Sequence, residues 1–260
     1  MRSPRTRIAL LSLALLLALA ALASAETIGR GNLRVSFDGA ITPHTLPRRG
    51  TAPIRVAVAT KIATADGSDP PRLKQIQIAI NSNGIFEPKG LPVCPLRSIQ
   101  PSTTADALAA CKSSLVGEGT FEANVLFTQQ SPFPSQGKLY AFNSTIGGKP
   151  AILAHVYGVR PAPTSFTLEF LIGHKKGTFG TSLTVKLPKS QSGGYITGIS
   201  LALGKTFSSH GKKSSYLSAT CPAPKGVHVA SFPFAKASFA FVGGAKLSQT
   251  LNRSCSVRGK

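Results

Sequence analysis

Apolar and polar residues alternate along most of this chain with a period of two, and clusters of Gly, Pro and Asp interrupt the alternation. The pattern is clear at 33–37, 54–58 and 76–80, and a turn-forming cluster at 66–71 separates the last two runs. Because alternate side chains of a β-strand face opposite sides of a sheet, these runs predict half-buried strands. The same alternation of apolar and polar residues continues after Val116. The sequence therefore predicts an all-β fold, a jelly-roll-like β-sandwich of about twelve strands.

The breaks in this pattern predict one short helix and several tight turns. Residues 105–111 are rich in Ala and Leu, and the hydroxyl side chains at 102–104 are suitable N-caps. The glycine pairs at 147–148 and 243–244 separate strand-like runs, as primed hairpin turns require. A third turn is predicted at 175–177.

The first 25 residues have the pattern of a secretory signal peptide. Three arginines precede an apolar stretch at 8–23, and Ala23-Ser24-Ala25 forms a small-residue cleavage site before Glu26. No later stretch approaches the length of a bilayer span, so no transmembrane segment is expected after cleavage. The sequence predicts a secreted or extracytoplasmic protein.

The remaining chain, 26–260, is long enough for one large β-domain or two small ones. A division near 128–136 is the alternative, because a Ser-Pro-Phe-Pro sequence lies there and the charge balance shifts close to it. Aromatic and proline residues suit a packed crossover better than a flexible linker. We therefore expect a single β-sandwich domain.

Four cysteines, Cys94, Cys111, Cys221 and Cys255, would enter an oxidising compartment. Their spacing fits neither a zinc site nor a redox pair, so two structural disulfides are expected. Three connectivities exist for four cysteines. The pairing of Cys94 with Cys111 and of Cys221 with Cys255 closes the shortest loops and is the one we predict.

Charge is the strongest indication of function. Residues 26–122 hold 11 basic and 8 acidic groups, whereas 123–260 hold 16 basic groups and one acid, Glu169. A field of one sign favours anionic partners such as cell-envelope polymers or acidic polysaccharides. The anion-binding candidates are two adjacent lysine pairs in the basic half: Lys175, Lys176, Lys212 and Lys213.

An enzymatic alternative depends on Glu118 and Glu122, which share one face of a strand with Thr120 between them. Some retaining glycosidases with jelly-roll folds carry acids at such alternate positions, which makes a secreted hydrolase acting on glycans the competing hypothesis. The middle acid of that pattern is replaced by Thr120, and the chain has no Trp to stack on a sugar. Catalysis by these residues is therefore the less favoured hypothesis.

Signals for other chemistry are weak. The chain has 9 acids and 5 histidines, and His44, His155, His174, His210 and His228 show no metal-ligand spacing. No metal or other cofactor is predicted.

Nucleic-acid motifs are also absent from the sequence. Aromatic and basic residues interleave only at 232–241, where the aromatic positions shift from even to odd. Core packing with a β-bulge explains that shift better than a single-strand groove. No sequence-specific binding of nucleic acid is expected.

Several stretches together resemble a group of uncharacterised secreted bacterial all-β proteins with no assigned activity. They are GNLRVSFDG (31–39), QPSTTADALAAC (100–111), SPFPSQGKLYAFN (131–143), CPAPKG (221–226) and FPFAKASFAF (232–241). The resemblance covers most of the mature chain. It implies export and a shared domain, and it assigns no catalytic residue.

The sequence as a whole predicts an exported, non-enzymatic protein that binds a partner or belongs to the cell envelope. Contact with anionic polymers through the basic C-terminal half is the specific expectation.

Overall fold

The computed structural model describes residues 25–100, 102–187, 193–209 and 211–258. The predicted signal peptide, apart from Ala25, lies outside these residues, and so does His210. The described residues form one α-helix, α1 (Thr104–Cys111), and eighteen strands. The strands are β1 (Glu26–Arg30), β2 (Leu33–Thr42), β3 (Thr45–Leu46), β4 (Ala52–Pro53), β5 (Arg55–Thr64), β6 (Leu73–Asn81), β7 (Gly84–Phe86), β8 (Leu115–Val125), β9 (Phe133–Ile146), β10 (Lys149–Gly158), β11 (Thr164–His174), β12 (Phe179–Lys186), β13 (Gly194–Leu203), β14 (Thr206–Ser209), β15 (Lys212–Ser215), β16 (Leu217–Ala219), β17 (Val229–Phe241) and β18 (Lys246–Val257).

The prediction of an all-β fold with one short helix is confirmed. Twelve strands have five residues or more, and all twelve join β3 in one large curled sheet. Its hydrogen-bonded order is β1-β2-β5-β13-β8-β9-β10-β11-β12-β6-β17-β18-β3. Two smaller sheets are β14-β15 and β4-β16-β7. Residues 126–132 connect β8 to its neighbour β9, and strands from both sides of this segment pair with each other, as β5 does with β13.

The large sheet curls so that its two halves face each other across an apolar interior. Val56 of β5 and Ile199 of β13 line the same internal space as Ile78 of β6, Phe170 of β11 and Leu183 of β12. These are the alternate apolar positions of each strand, so the period-two pattern becomes the inward face of the sheet. Burial of this face supplies the main driving force for the fold.

Beyond the backbone ladder, side chains join the two ends of the curled sheet. Strand β18 lies beside β1 and β2. Arg253 donates through Nε to the carbonyl oxygen of Gly39 at 2.6 Å and through Nη2 to Oδ1 of Asp38 at 2.7 Å. Gln249 donates to the carboxylate of Glu26. We call this junction between β18 and β1-β2 the seam.

The predicted turns are present. Gly147 and Gly148 have φ values of 56° and 75°, and Gly243 and Gly244 both have 85°, a conformation that L-residues with a Cβ avoid. The predicted bulge at 232–241 is also confirmed, because the β17–β18 register shifts between Pro233 and Ala235.

Both disulfides have the predicted connectivity. Cys94 bonds Cys111 with a Cα–Cα distance of 5.5 Å, and Cys221 bonds Cys255 with 5.8 Å. The first bond ties α1 to the segment at 91–100, and this strap, residues 91–100 and 102–111, lies over the outer face of β9 and β10. There Ile99 packs with Phe142 and Leu153 in a second, smaller core.

Candidate anion-binding site

The register of the large sheet brings many separate turns to one end of the molecule. Because Ala151 pairs with Leu171, the 147–149 turn lies at the same end as the 175–178 turn. Ser82 then donates to the carbonyl oxygen of Thr178 at 2.9 Å, which places the β6–β7 connection there as well. We call this part of the molecule the basic end. It comprises residues 44–54, 82–83, 87–91, 112–114, 147–149, 175–178, 204–209, 211–216, 220–228 and Arg258.

Backbone contacts hold the other loops of the basic end together. Cys221 donates to the carbonyl oxygen of Pro47 at 2.9 Å, and Arg258 donates to that of Leu46 at 2.8 Å. Glu87 donates to the carbonyl oxygen of Tyr216 at 3.0 Å, which joins the 87–91 loop to the chain that follows β15.

Exposed cations dominate the surface of the basic end. Ten of its lysines and arginines are exposed: Arg49, Lys89, Lys112, Lys149, Lys175, Lys176, Lys212, Lys213, Lys225 and Arg258. Among the residues that define this end, Glu87 is the only acid. The ten cations come from eight separate segments, so the positive field is a product of the fold rather than of one basic run.

The structure places both predicted lysine pairs at the basic end. Lys175 and Lys176 lie in the turn between β11 and β12, and Lys212 and Lys213 begin β15 opposite Ser209 and Ser208. All four lysines are exposed. Their role in binding remains a prediction.

The sequence argument missed the contribution of the first half of the chain. Arg49, Lys89 and Lys112 belong to the nearly neutral half, yet their segments reach the same end as the lysine pairs. Strands of the two halves interleave in the sheet, with β6 between β12 and β17. The net charge of each half of the sequence therefore does not give the net charge of each surface of the folded protein.

Two further cations at the basic end hold the structure together. Arg48 donates to the backbone carbonyls of Ala223, Pro224 and Val227, the last at 2.8 Å, and so fixes the loop after Cys221. Lys205 donates to the carbonyl oxygen of Ser113 at 2.5 Å, and partial burial lowers the pKa of Lys205. These two side chains support the loops that carry the exposed cations.

The carboxylates of Glu118 and Glu122 do not share a groove. Glu118 lies 3.6 Å from the Arg55 guanidinium at the edge of a shallow outer groove of about 220 Å³. Glu122 does not line that groove and instead covers Gly198 of β13. Between them, the Thr120 and Ser200 hydroxyls lie 2.7 Å apart and satisfy each other.

The second carboxylate of this groove is already paired. Asp38 lines it, but its Oδ1 accepts from Arg253 at the seam. Glycoside hydrolysis uses two carboxyl groups that face each other across a cleft. Glu118 and Asp38 do not form such a pair of free carboxylates in this groove.

The described histidines occupy two kinds of environment. His44, His174 and His228 are exposed at or beside the basic end, whereas His155 is fully buried. Nδ1 of His155 lies 3.0 Å from the carbonyl oxygen of Ile99, and burial lowers the pKa of this imidazole.

Within the described part of the chain, no group of three or more His, Cys, Asp or Glu residues is arranged to hold a metal ion. The carboxylates of the acidic 66–69 turn are engaged in hydrogen bonds, with Asp69 accepting from the Tyr195 hydroxyl at 2.7 Å. Hydrogen bonds from Asn32 and Ser68 lower the pKa of Asp66, and its Oδ1 accepts from the Ser68 backbone at 2.9 Å. This carboxylate organises a turn.

No protein-family model matches this chain, and comparison with curated proteins and with solved structures finds no match either. Among the described residues, no helix is long and apolar enough to cross a membrane. The two disulfides are typical of proteins in an oxidising, extracytoplasmic environment.

Proposed function

We propose that this protein is exported and acts as a non-enzymatic binding protein that holds anionic polymers of the cell envelope through its basic end. The observation that carries the proposal is the collection of ten exposed cations from eight segments around one exposed acid. The partner class is a chain of repeated negative charges, such as a wall phosphate polymer or an acidic polysaccharide.

The physical basis is electrostatic. Exposed lysines and arginines that contact a polyanion release its condensed counterions, and this release drives binding that weakens as salt rises. Cations on separate turns are spread over a surface and not focused on one point. The affinity of such a surface should depend on the charge density of the polymer rather than on the identity of any single monomer in it.

Export is the second part of the proposal. It is supported by the n-region, apolar stretch and cleavage site in the first 25 residues and by the two disulfides. An extracytoplasmic protein meets cell-envelope polymers directly.

The test measures binding of dextran sulfate, an acidic polysaccharide, as salt is raised from low to physiological concentration. The test variant carries Lys175→Gln, Lys176→Gln, Lys212→Gln and Lys213→Gln. We expect its Kd to rise about tenfold or more and the salt dependence of its affinity to become shallower, because fewer counterions are released.

The matched control neutralises four exposed cations at the opposite end: Arg30→Gln, Lys74→Gln, Lys186→Gln and Lys246→Gln. It changes the net charge by the same amount, and its Kd should change far less. Equal weakening in the two variants would mean that total charge alone governs binding, and affinity that does not respond to salt would overturn the electrostatic mechanism.

A further inference from the structure

At the end of the sheet opposite the basic end, the apolar interior opens into a pocket of about 530 Å³. Inward-facing positions of four consecutive sheet strands, β8, β9, β10 and β11, form its walls. Its floor is the pair Phe121 and Phe166, whose rings meet edge to face with centroids 4.9 Å apart. This volume falls in the range of sites that enclose small organic molecules.

Small residues at the inward positions create this space. Ala123, Gly137 and Gly158 line the pocket, whereas Leu139, the next inward residue of β9, is completely buried. A Cβ at Gly137 would lie only 2.8 Å from the carbonyl oxygen of Tyr157, so a larger side chain there would displace backbone. The side chains of these strands therefore leave the pocket at this end of the sheet unfilled.

The mouth combines exposed apolar surface with one cation. Phe127 lines it with 43% of its surface exposed, and Val159, between two lining residues, is 62% exposed. Arg160 is the only charged residue among the described residues that line the pocket. Its guanidinium makes no hydrogen bond or ion pair with any of them, whereas its backbone oxygen accepts from the Ser135 hydroxyl at 2.8 Å.

We propose that this pocket binds a single-chain anionic amphiphile, with its alkyl chain against Phe121 and Phe166 and its anionic head beside Arg160. The apolar walls exclude a polar polymer such as the partner of the basic end. The single unpaired guanidinium matches a ligand with one anionic head. Free fatty acids and anionic lipids of a bilayer share this chemistry, and the proposal commits to the monomeric fatty acid.

The test titrates the oxidised protein with decanoate and dodecanoate below their micellar concentrations, using calorimetry. Burial of each additional methylene should lower Kd about fourfold, so dodecanoate should bind about sixteen times more tightly than decanoate. Dodecanol, which has the same chain without the charge, should bind more weakly than dodecanoate.

Arg160→Gln tests the head-group contact. Arg160 is exposed, so its replacement leaves the core intact, and the Kd for dodecanoate should rise about tenfold while the Kd for dodecanol stays unchanged. The matched control is Arg30→Gln, an exposed arginine at the same end of the sheet but outside the pocket. Ala123→Phe fills the pocket and should abolish binding of both ligands.

Three results would overturn the proposal. The first is an affinity that does not depend on chain length. The second is an equal loss in Arg160→Gln and Arg30→Gln, which would indicate unspecific attraction to a basic protein. The third is binding to phosphatidylglycerol vesicles without binding of monomeric dodecanoate, which would assign the exposed apolar residues to a membrane surface. None of these outcomes bears on polymer binding at the basic end, which the dextran sulfate titration reports separately.

Discussion

Phe37 and Phe239 meet edge to face inside the curled sheet, with their ring centroids 6.4 Å apart. They belong to β2 and β17, which are separated by eight other strands in the hydrogen-bonded order. No backbone ladder brings them together. Their contact therefore depends on the curl of the whole sheet, and both side chains are almost completely buried.

This contact predicts a measurable coupling between the two halves of the interior. Replacing either Phe37 or Phe239 by Leu should destabilise the fold, because each leaves a cavity where a ring was packed. The double variant should lose less than the sum of the two, with a coupling of about 0.5–1.5 kcal/mol from the edge-to-face geometry. Urea unfolding of the four proteins gives the coupling directly.

A control for this cycle pairs Phe37→Leu with Phe127→Leu. Phe127 is exposed at the mouth of the pocket and is not in contact with either ring, so these two changes should be additive. Additivity of the Phe37 and Phe239 changes themselves would show that their rings do not interact.

Removal of the Cys94–Cys111 bond should loosen the strap selectively. Cys94→Ala with Cys111→Ala should lower the free energy of unfolding by about 3 kcal/mol through the entropy of the freed loop. Amides in 94–111 should lose hydrogen-exchange protection, whereas those of β5 and β6 should keep theirs. The matched pair Cys221→Ala with Cys255→Ala should spare the strap and expose amides near 221–228, and the reverse distribution would contradict this account.

The start of α1 depends on a reciprocal cap. The Thr103 hydroxyl accepts from the Asp106 backbone at 3.2 Å, and the Asp106 carboxylate accepts from the Thr103 backbone at 3.3 Å. Thr103→Ala should destabilise the protein by about 1 kcal/mol, as loss of an N-cap usually does. Thr104→Ala, one residue into the helix, should have a much smaller effect in the same thermal unfolding measurement, and equal effects would argue against the cap.

His155 should make stability depend on pH. Burial lowers its pKa in the folded protein below the ordinary value of 6.5, so the unfolded chain binds a proton that the folded chain resists. The free energy of unfolding should therefore fall as the pH drops below about 6.5, the pKa of an unperturbed histidine. His155→Gln removes the titratable imidazole.

Urea unfolding between about pH 5 and about pH 7.5 checks this linkage. The wild-type protein should lose more stability on acidification than His155→Gln, and the two should have similar slopes at the upper limit. Parallel curves across the whole range would exclude His155 as the origin of the pH dependence.

Local patterns in the sequence predicted local structure well. The alternation at 33–37 and 76–80 lies within β2 and β6, the glycine pairs form turns with positive φ, and α1 begins one residue before the predicted start. These features depend on neighbours in the chain, since side-chain period and glycine conformation act over a few residues.

Features that depend on distant parts of the chain could not be read from the sequence. The burial of His155 could not be predicted from alternation, because β10 is buried on both sides, by the interior on one and by the strap on the other. The basic end was predicted only in part, because its cations from both halves meet only once pairings such as β5 with β13 are known. The cysteine spacing predicted the bond that ties residues 94–111, but not that this segment lies over the sheet.

The seam has a consequence for how this protein behaves in a crowded solution. A sheet with an uncovered outermost strand offers free backbone donors and acceptors to another copy of itself, which is a common start of aggregation. Here β18 lies against β1 and β2, with the Gln249–Glu26 contact on β1 and the Arg253–Asp38 contact on β2. These contacts cover the facing edges of the large sheet, so that the side chains of the seam leave less of its backbone open to strand addition by another copy.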